Sequence, residues 1–174
     1  DRAEDIAQWI RQDGVTLKAI LLTHGHFDHI GAVAGLKKEF QVPVYAMGAE
    51  AVVMEDSTLN LSANWASAFT VKCDHELTDE EKFQVAGFDI VAYHTPGHTK
   101  GGACYYIEEE QVLFSGDTIF CHSVGRTDLP TGSMGELRRS VQRMLQILPD
   151  ATRVMPGHEC DTSIADEKRY NPYS

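Results

Sequence analysis

The stretch THGHFDH at residues 23–29 directly follows the apolar run AILL at residues 19–22. It holds four potential metal ligands, namely His24, His26, Asp28 and His29. His and Asp side chains bind transition ions such as Zn²⁺, Fe²⁺ and Mn²⁺, so a strand that ends in this cluster predicts a metal site. Side chains two positions apart on a strand point the same way, and one ion can therefore take both His24 and His26. Asp28 and His29 follow where the chain leaves the strand, and can turn toward a second ion.

Three later segments repeat this arrangement: HTPGHT at residues 94–99, FSGDT at residues 114–118 and MPGH at residues 155–158. Each places a His or an Asp beside Gly or Pro, just after an apolar segment that reads as a strand. Four strand ends that each offer a ligand predict one site at one edge of a layered β structure. Within the first of these segments, we expect His94 to be a core residue or a partner of a ligand rather than a ligand.

The bulk composition is that of an ordinary globular chain. A length of 174 residues, 43% hydrophobic, predicts one domain with a substantial core. The net charge of −11 argues against nucleic acid and anionic membrane surfaces as partners, because their phosphates would be repelled. No apolar run reaches transmembrane length, and no signal-peptide pattern opens the chain. The four cysteines show no pairing pattern, which predicts a reducing, cytosolic location.

The predicted elements mix helices and strands without regular βαβ units. Helices are expected at residues 2–12, 31–40, 48–55 and 133–148, and strands at residues 18–22, 42–46, 82–85, 88–94, 102–107, 111–114 and 152–155. This order favours an α+β fold, a four-layer αββα sandwich, over a doubly wound sheet. Residues 56–70 are polar and irregular, so Trp65 either faces a substrate from a flap or packs on the core in a surface connection.

The chain resembles the metallo-β-lactamase-fold hydrolases over nearly all of residues 5–174, and the four His/Asp segments carry the resemblance. Within this family it is most similar to the bacterial glyoxalase II-like thioesterases, on GDTIF at residues 116–120, GRTD at residues 125–128 and EKRYNP at residues 167–172. The last two stretches also resemble the persulfide dioxygenases of the same superfamily. Family members begin with several strands before their first helix. We therefore expect a single metallo-hydrolase domain at residues 1–174 that is N-terminally truncated and has no C-terminal glutathione-binding domain.

The resemblance implies a ligand set for two divalent metal ions, with zinc favoured over iron and manganese. The first ion would be held by His24, His26 and His98, the second by Asp28, His29 and His158, and Asp117 would bridge the two. The residues agree with this assignment, because seven nitrogen and oxygen ligands without a cysteine suit two ions that keep room for water. Arg126 and Asp128 follow Asp117 closely, and either form a salt bridge that supports the loop or present Arg126 to a substrate carboxylate.

The resemblance implies hydrolysis of thioesters of small thiols, with S-lactoylglutathione as the reference substrate. Two such ions lower the pKa of a shared water toward neutrality, which provides a hydroxide nucleophile. Asp117, as the bridge, and Asp28, which steers the proton, would be the catalytic carboxylates. The alternative is a persulfide dioxygenase with a single iron on two His and one Asp. A metal-binding scaffold without activity is a third reading, and β-lactamase activity is not expected, because that branch usually differs in its third and fourth motifs and is secreted.

Overall fold

A computed structural model of the chain describes residues 2–65 and 67–174. The helices are α1 (Ala3–Gln12), α2 (Phe27–Ile30), α3 (Val33–Phe40), α4 (Ala51–Met54), α5 (Ser62–Trp65), α6 (Met134–Ile147) and α7 (Ile164–Tyr170), with a 3-10 helix at Gly48–Glu50. The strands are β1 (Ile20–Leu21), β2 (Val44–Met47), β3 (His75–Leu77), β4 (Glu81–Val85), β5 (Phe88–His94), β6 (Ala103–Ile107), β7 (Val112–Gly116), β8 (Arg153–Pro156) and β9 (Thr162–Ser163). No helix among these residues is long and apolar enough to cross a membrane.

The strands form two sheets. Strands β1, β2 and β3 are parallel and lie in that order, whereas β4 to β9 form a second sheet in chain order. In the second sheet β4 to β7 are antiparallel, β8 lies parallel to β7, and β9 returns antiparallel to β8. The tight turn between β4 and β5 has positive φ at both Ala86 and Gly87, the geometry that suits a two-residue hairpin.

Three apolar cores separate four layers. One core lies on the outer face of the three-stranded sheet and contains Ile30, Val33 and Met54 from the helices. A second lies between the sheets and includes Met47 and Tyr105. A third packs α6 against the outer face of the six-stranded sheet, and its members are Cys104, Tyr106, Leu113, Ile119, Leu137, Val141, Met144, Leu145, Leu148, Val154 and Ile164. The predicted αββα sandwich is confirmed.

Helix α6 connects this packing to the site. Its apolar stripe is buried, and burial of each large aliphatic side chain stabilises the fold by about 1.5–3 kcal/mol. At its amino end the backbone N–H of Ser133 donates to the Gly97 carbonyl at 2.8 Å, and the Ser140 hydroxyl donates to the Pro96 carbonyl at 2.8 Å. Gly97 has φ of +136°, and a Cβ there would lie 2.1 Å from the Leu137 nitrogen. The helix therefore fixes the loop that carries His98.

Several predicted boundaries were wrong. The strand expected at residues 18–22 is only Ile20–Leu21, and the helix expected at residues 31–40 is preceded by the separate short helix α2. The helix expected at residues 48–55 divides into a 3-10 turn and α4. The irregular segment at residues 56–70 contains α5, and Ala66 within it lies outside the described residues, as does Asp1.

The elements β3, β9 and α7 were missed. Helix α7 starts after Ser163, whose hydroxyl accepts from the Asp166 backbone N–H at 3.1 Å. The helix buries Ile164 together with the charged Glu167, so its inward face is not apolar in sequence. An apolar periodicity search cannot detect a face of this kind.

Candidate metal centre

The predicted ligands lie at four segment ends on one side of the two sheets. His24 and His26 follow β1, Asp28 and His29 lie in α2, His98 lies in the loop after β5, Asp117 directly follows β7, and His158 follows β8. Strands β7 and β8 are parallel neighbours, so their carboxyl ends meet. A hydrogen bond of 2.9 Å from the Gly157 backbone N–H to the Gly116 carbonyl joins the two loops. The fold thus brings all seven side chains together.

Three histidines form what we call the buried group: His24, His26 and His98. Their ring nitrogens lie within 4.8 Å of one another, and each side chain is almost inaccessible to solvent. His26 Nδ1 faces His98 Nε2 at 2.9 Å. Their rings cross nearly at right angles, with centroids 4.6 Å apart.

The other three residues form what we call the open group: Asp28, His29 and His158. His158 Nε2 lies 3.3 Å from both His29 Nε2 and Asp28 Oδ2. The side chains of His158 and Asp28 are 51% and 40% exposed, whereas that of His29 is 16% exposed. Solvent therefore reaches this group directly.

Asp117 lies between the two groups. Its Oδ2 is 3.5 Å from His98 Nε2 in the buried group and 3.7 Å from His158 Nε2 in the open group. Its Oδ1 is 3.4 Å from His29 Nε2. One carboxylate faces ring nitrogens of both groups, which is the arrangement that the bridging prediction requires.

The cluster is chemically suited to cations. Among the described residues, the buried polar side-chain atoms without a hydrogen-bond partner are His24 Nε2, His26 Nε2, Asp117 Oδ1 and Thr152 Oγ1, and three of these four belong to the cluster. An unsatisfied buried polar atom destabilises a fold by about 1–3 kcal/mol and calls for an explanation. Cations held among these side chains would satisfy the imidazole lone pairs and the carboxylate together.

Burial favours the neutral form of the enclosed histidines. Burial lowers the pKa of His26 and of His29 to about 4, and lowers the pKa of His24 well below its ordinary value. A neutral imidazole has a lone pair that can bind a metal, whereas a protonated one does not. Burial also raises the pKa of the Asp117 carboxyl to about 6, because its charge is removed from water. A nearby cation would favour the carboxylate form.

The loop at residues 125–128 orients His98. Its Nδ1 lies 2.7 Å from the Arg126 carbonyl oxygen, which can only accept, so Nδ1 carries the hydrogen. In the neutral ring this leaves the Nε2 lone pair facing the cluster. The Arg126 guanidinium makes two 2.7 Å hydrogen bonds to Asp128 at the surface. The salt bridge predicted for this pair is therefore present.

A cavity of about 500 Å³ opens beside the cluster. Its apolar lining consists of Phe27, Leu61, Trp65, Phe120, Val124 and Leu129. Trp65 is 73% exposed and lies on this cavity, which favours the substrate-facing interpretation over packing on the core. Arg126 is the only Lys or Arg among the described residues that line the cavity.

Glu50 is the residue of this region that sequence reasoning missed. It is only 1% exposed and accepts hydrogen bonds from the Gly25 backbone N–H, the Thr99 hydroxyl and the Gly101 backbone N–H. A signal was available, because Glu50 is the one charged residue in the otherwise uncharged stretch VPVYAMGAEAVVM at residues 42–54. His94 lies apart from the cluster, with Nε2 3.0 Å from the Lys100 carbonyl oxygen, in line with the expectation that it is not a ligand.

Comparison with curated proteins identifies relatives along almost the whole chain. A probable metallo-hydrolase, YqgX of Bacillus subtilis, is 36% identical over 97% of this chain and 81% of that protein. A hydroxyacylglutathione hydrolase, GloC of Haemophilus influenzae, is 34% identical over 98% of this chain and 82% of that protein.

Solved structures give the same result. The chain superimposes on the B3 metallo-beta-lactamase BLEG-1 with a TM-score of 0.92 at 41% identity, covering 98% of this chain and 83% of that one. It superimposes on TTHA1623 in a di-iron-bound form with a TM-score of 0.89 at 34% identity, covering 100% of this chain and 86% of that one. The superposition on ETHE1 from Myxococcus xanthus gives a TM-score of 0.77 at 30% identity, covering 98% of this chain and 68% of that one.

The family assignment follows from these likenesses together with the site. Residues 1–158 match the family described as the Metallo-beta-lactamase superfamily. That superfamily binds divalent metals, which agrees with the two groups of ligands around Asp117. The chain belongs to the metallo-beta-lactamase superfamily.

Proposed function

We propose that the protein hydrolyses thioesters of small thiols with two divalent metal ions, and that S-lactoylglutathione is the reference substrate. The observation that carries the proposal is the pair of three-ligand groups on either side of Asp117. The 34% identity to a hydroxyacylglutathione hydrolase supports a thioester over other acyl substrates. Zinc is the favoured metal, and the di-iron form of one similar structure makes iron the first alternative to test.

The two groups and Asp117 have separate proposed roles. The buried group would hold one ion, the open group the other, and Asp117 would contact both. When bound, two such ions lower the pKa of water toward neutrality and polarise the acyl carbonyl. The thiolate that leaves is a weak base, so the reaction needs little help from a general acid.

Asp28 is the proposed proton-handling residue. Its carboxylate lies at the solvent side of the cluster, with Oδ2 3.3 Å from His158 Nε2 and 3.7 Å from His29 Nε2. A carboxylate at this edge can accept a proton from the attacking water and pass it to solvent. Asp117, by contrast, is almost buried, and its proposed role is to hold the two groups together.

The cavity favours a small or uncharged thiol. Its lining includes the apolar residues Phe27, Leu61, Trp65, Phe120, Val124 and Leu129, which suit an acyl group. Arg126, the one lining cation among the described residues, already pairs with Asp128. The carboxylates of glutathione would therefore gain little here, and we expect weaker binding of glutathione conjugates than of uncharged thioesters.

We place the reaction in a reducing, cytosolic compartment, with no nucleic acid and no membrane as partner. All four cysteines are free in the structure, and Cys160 is exposed. The net charge of −11 disfavours anionic surfaces.

A second candidate function is hydrolysis of β-lactams. It was not expected from the sequence, but the 41% identity to a structure described as a B3 metallo-beta-lactamase favours testing it. Both reactions attack an acyl carbon and differ in the leaving group, a thiolate in one case and a ring amide nitrogen in the other. The same cluster can therefore serve either chemistry, and the cavity decides which acyl compound enters.

The test is hydrolysis by protein whose metals have been counted. We expect release of thiol from S-lactoylglutathione and from an uncharged lactoyl thioester, and much slower opening of a chromogenic cephalosporin. His158→Ala should abolish release, whereas His75→Ala, which removes an exposed imidazole elsewhere, should not change it. Cephalosporin turnover that exceeds thioester turnover would select the second candidate. One iron per chain with uptake of oxygen on a glutathione persulfide would instead select the dioxygenase alternative.

A further inference from the structure

The carboxylate of Glu50 joins two loops that are distant in the chain. Its Oε1 accepts from the Gly25 backbone N–H at 2.7 Å. Its Oε2 accepts from the Gly101 backbone N–H at 2.7 Å and from the Thr99 hydroxyl at 3.0 Å. Glu50 is separated by 25 residues from Gly25 and by 51 residues from Gly101. One side chain therefore fixes two loops to each other through their backbones.

A buried carboxylate is unfavourable unless its oxygens are fully used. Burial raises the pKa of Glu50 to about 7, and its three hydrogen bonds act in the opposite direction. All three partners donate, so both oxygens must accept, which is the hydrogen-bonding pattern of a carboxylate and of no other side chain. The geometry accounts for a charged residue in this position.

Both loops also pack closely against the segment at residues 50–54. A Cβ at Gly101 would lie 2.1 Å from the Glu50 nitrogen, and a Cβ at Gly25 would lie 2.8 Å from Met54 Cγ. Glycine at these two positions allows the loops to approach within hydrogen-bond distance of the carboxylate. The contact therefore depends on the glycines of both loops and not on the conformation of the Glu50 side chain alone.

The two loops carry the buried group. Gly25 lies between His24 and His26, and Thr99 directly follows His98. We propose that Glu50 is the positioning residue of the first metal ion, because its carboxylate holds the His24–His26 loop and the His98 loop at the separation that one ion requires. This inference rests on the proposed two-metal site and is independent of which substrate the protein hydrolyses.

Glu50→Gln tests the inference with an almost unchanged side-chain shape. An amide has one oxygen, so it can accept from the Gly25 N–H or from the Gly101 N–H, but not from both. Whichever way the amide turns, its NH2 group faces one of the two backbone donors. The variant therefore releases one loop from the other without leaving a cavity.

The matched control is Glu167→Gln. Glu167 is also fully buried, and its carboxylate accepts from the His122 backbone N–H, the Thr162 hydroxyl and the Asn171 amide. It makes the same kind of contact as Glu50, but with segments that carry none of the buried group. Any general effect of neutralising a buried carboxylate should appear in both variants.

The main readout is the affinity for the first metal ion, measured by competition with a chelator and Zn²⁺. We expect Glu50→Gln to weaken it about 10- to 100-fold, the range found when a partner that orients metal ligands is lost. Thr99→Val, which removes one donor and keeps both backbone bonds, should weaken it about three- to tenfold. Glu167→Gln should leave the affinity unchanged.

A second readout uses metal-free protein. Amide hydrogen exchange of Gly25 or Gly101 should speed up in Glu50→Gln, with the rest of the six-stranded sheet still protected. First-ion affinity within twofold of the parent in Glu50→Gln would overturn the inference, and so would an equal loss in Glu167→Gln. If Glu50→Gln does not fold, an unchanged affinity in Thr99→Val overturns it. Neither readout requires thioester turnover, so a failure of the proposed reaction would be recognised separately.

Discussion

The buried group and the open group contain the same number of ligands but differ in what holds them. His24, His26 and His98 are enclosed by the fold, and hydrogen bonds from the loops around them, at Glu50 and at the Arg126 carbonyl, fix their positions. In the open group, the side chains of His158 and Asp28 are about half exposed to solvent. The comparison indicates that the fold preorganises one half of the site, whereas the other half would be organised by an ion bound there. Strong binding is thus expected at the buried half, and exchange of water and substrate at the open half.

The largest effect is expected from removal of the residue that joins the halves. Asp117→Ala should release both ions and lower kcat/KM by more than about 100-fold, the upper end for loss of a residue that merely orients a ligand. Its carboxylate is the only one that faces ring nitrogens of both groups among the described residues. Metal analysis after dialysis gives the answer, and two ions retained per chain would contradict the bridging role.

The second largest effect is expected to differ between a variant of the buried group and a variant of the open group. A ligand that binds the folded state stabilises it by about 2.7 kcal/mol when it is present at a hundredfold excess over its Kd. His24→Ala should abolish the rise in melting temperature that metal produces in this way, because it removes a ligand from the buried group. His158→Ala should keep part of that rise, held by the intact buried group, yet lose hydrolysis. Thermal unfolding with and without Zn²⁺ measures both variants. If the two lose the metal-dependent stabilisation equally, the distinction between the halves is wrong.

A smaller effect is expected at Gly157, which lies against His29 of the open group and against Oδ1 of Asp117. A Cβ there would lie 2.5 Å from Asp117 Oδ1 and 2.7 Å from His29 Cε1. Gly157→Ala should therefore weaken the affinity for the second ion about tenfold and leave the affinity for the first ion unchanged.

The control for this change is Gly135→Ala on helix α6, where the nearest heavy atom is the Arg139 guanidinium nitrogen at 3.7 Å. This substitution should stabilise the helix by about 0.5–1 kcal/mol and leave both metal affinities as they are. Sequential titration with a chromogenic chelator separates the two ions. A loss of the first ion in Gly157→Ala would show that the halves are not independent.

The smallest effect is expected at the Arg126–Asp128 pair. His98 is held by the backbone carbonyl of Arg126, not by its side chain, and the ion pair itself is exposed. Arg126→Ala and Asp128→Ala should each leave the free energy of unfolding nearly unchanged and leave the metals bound. A marked rise in KM for S-lactoylglutathione in Arg126→Ala alone would show instead that the guanidinium meets a substrate carboxylate.

The sequence predicted the fold, and it also predicted which His and Asp side chains the fold brings together, because these polar residues stand at the strand ends. THGHFDH at residues 23–29 and the Gly- or Pro-flanked His98, Asp117 and His158 are polar side chains where apolar strands stop, a pattern that packing alone does not produce. The structure brings all seven together, and their role as ligands stays a prediction. The αββα sandwich was predicted from the order in which strands and amphipathic helices such as α6 occur along the chain.

What the sequence did not predict lies in contacts between distant segments. The role of Glu50 depends on hydrogen-bond donors that are 25 and 51 residues away in the chain. The local sequence at residues 42–54 does not identify these donors. Glu167 obscured helix α7 in the same way, because a buried charge interrupts the apolar pattern that a helix search needs. Buried charges are therefore the residues at which local sequence reasoning fails in this fold.

The most direct test of the two-half account is stepwise return of metal to the metal-free protein, with bound Zn²⁺ and thioester hydrolysis followed on the same sample. We expect about two binding steps, a tight one at the buried group that raises stability and a weaker one at the open group with which hydrolysis appears. Full hydrolysis after the first equivalent alone, with no further gain from the second, would contradict it.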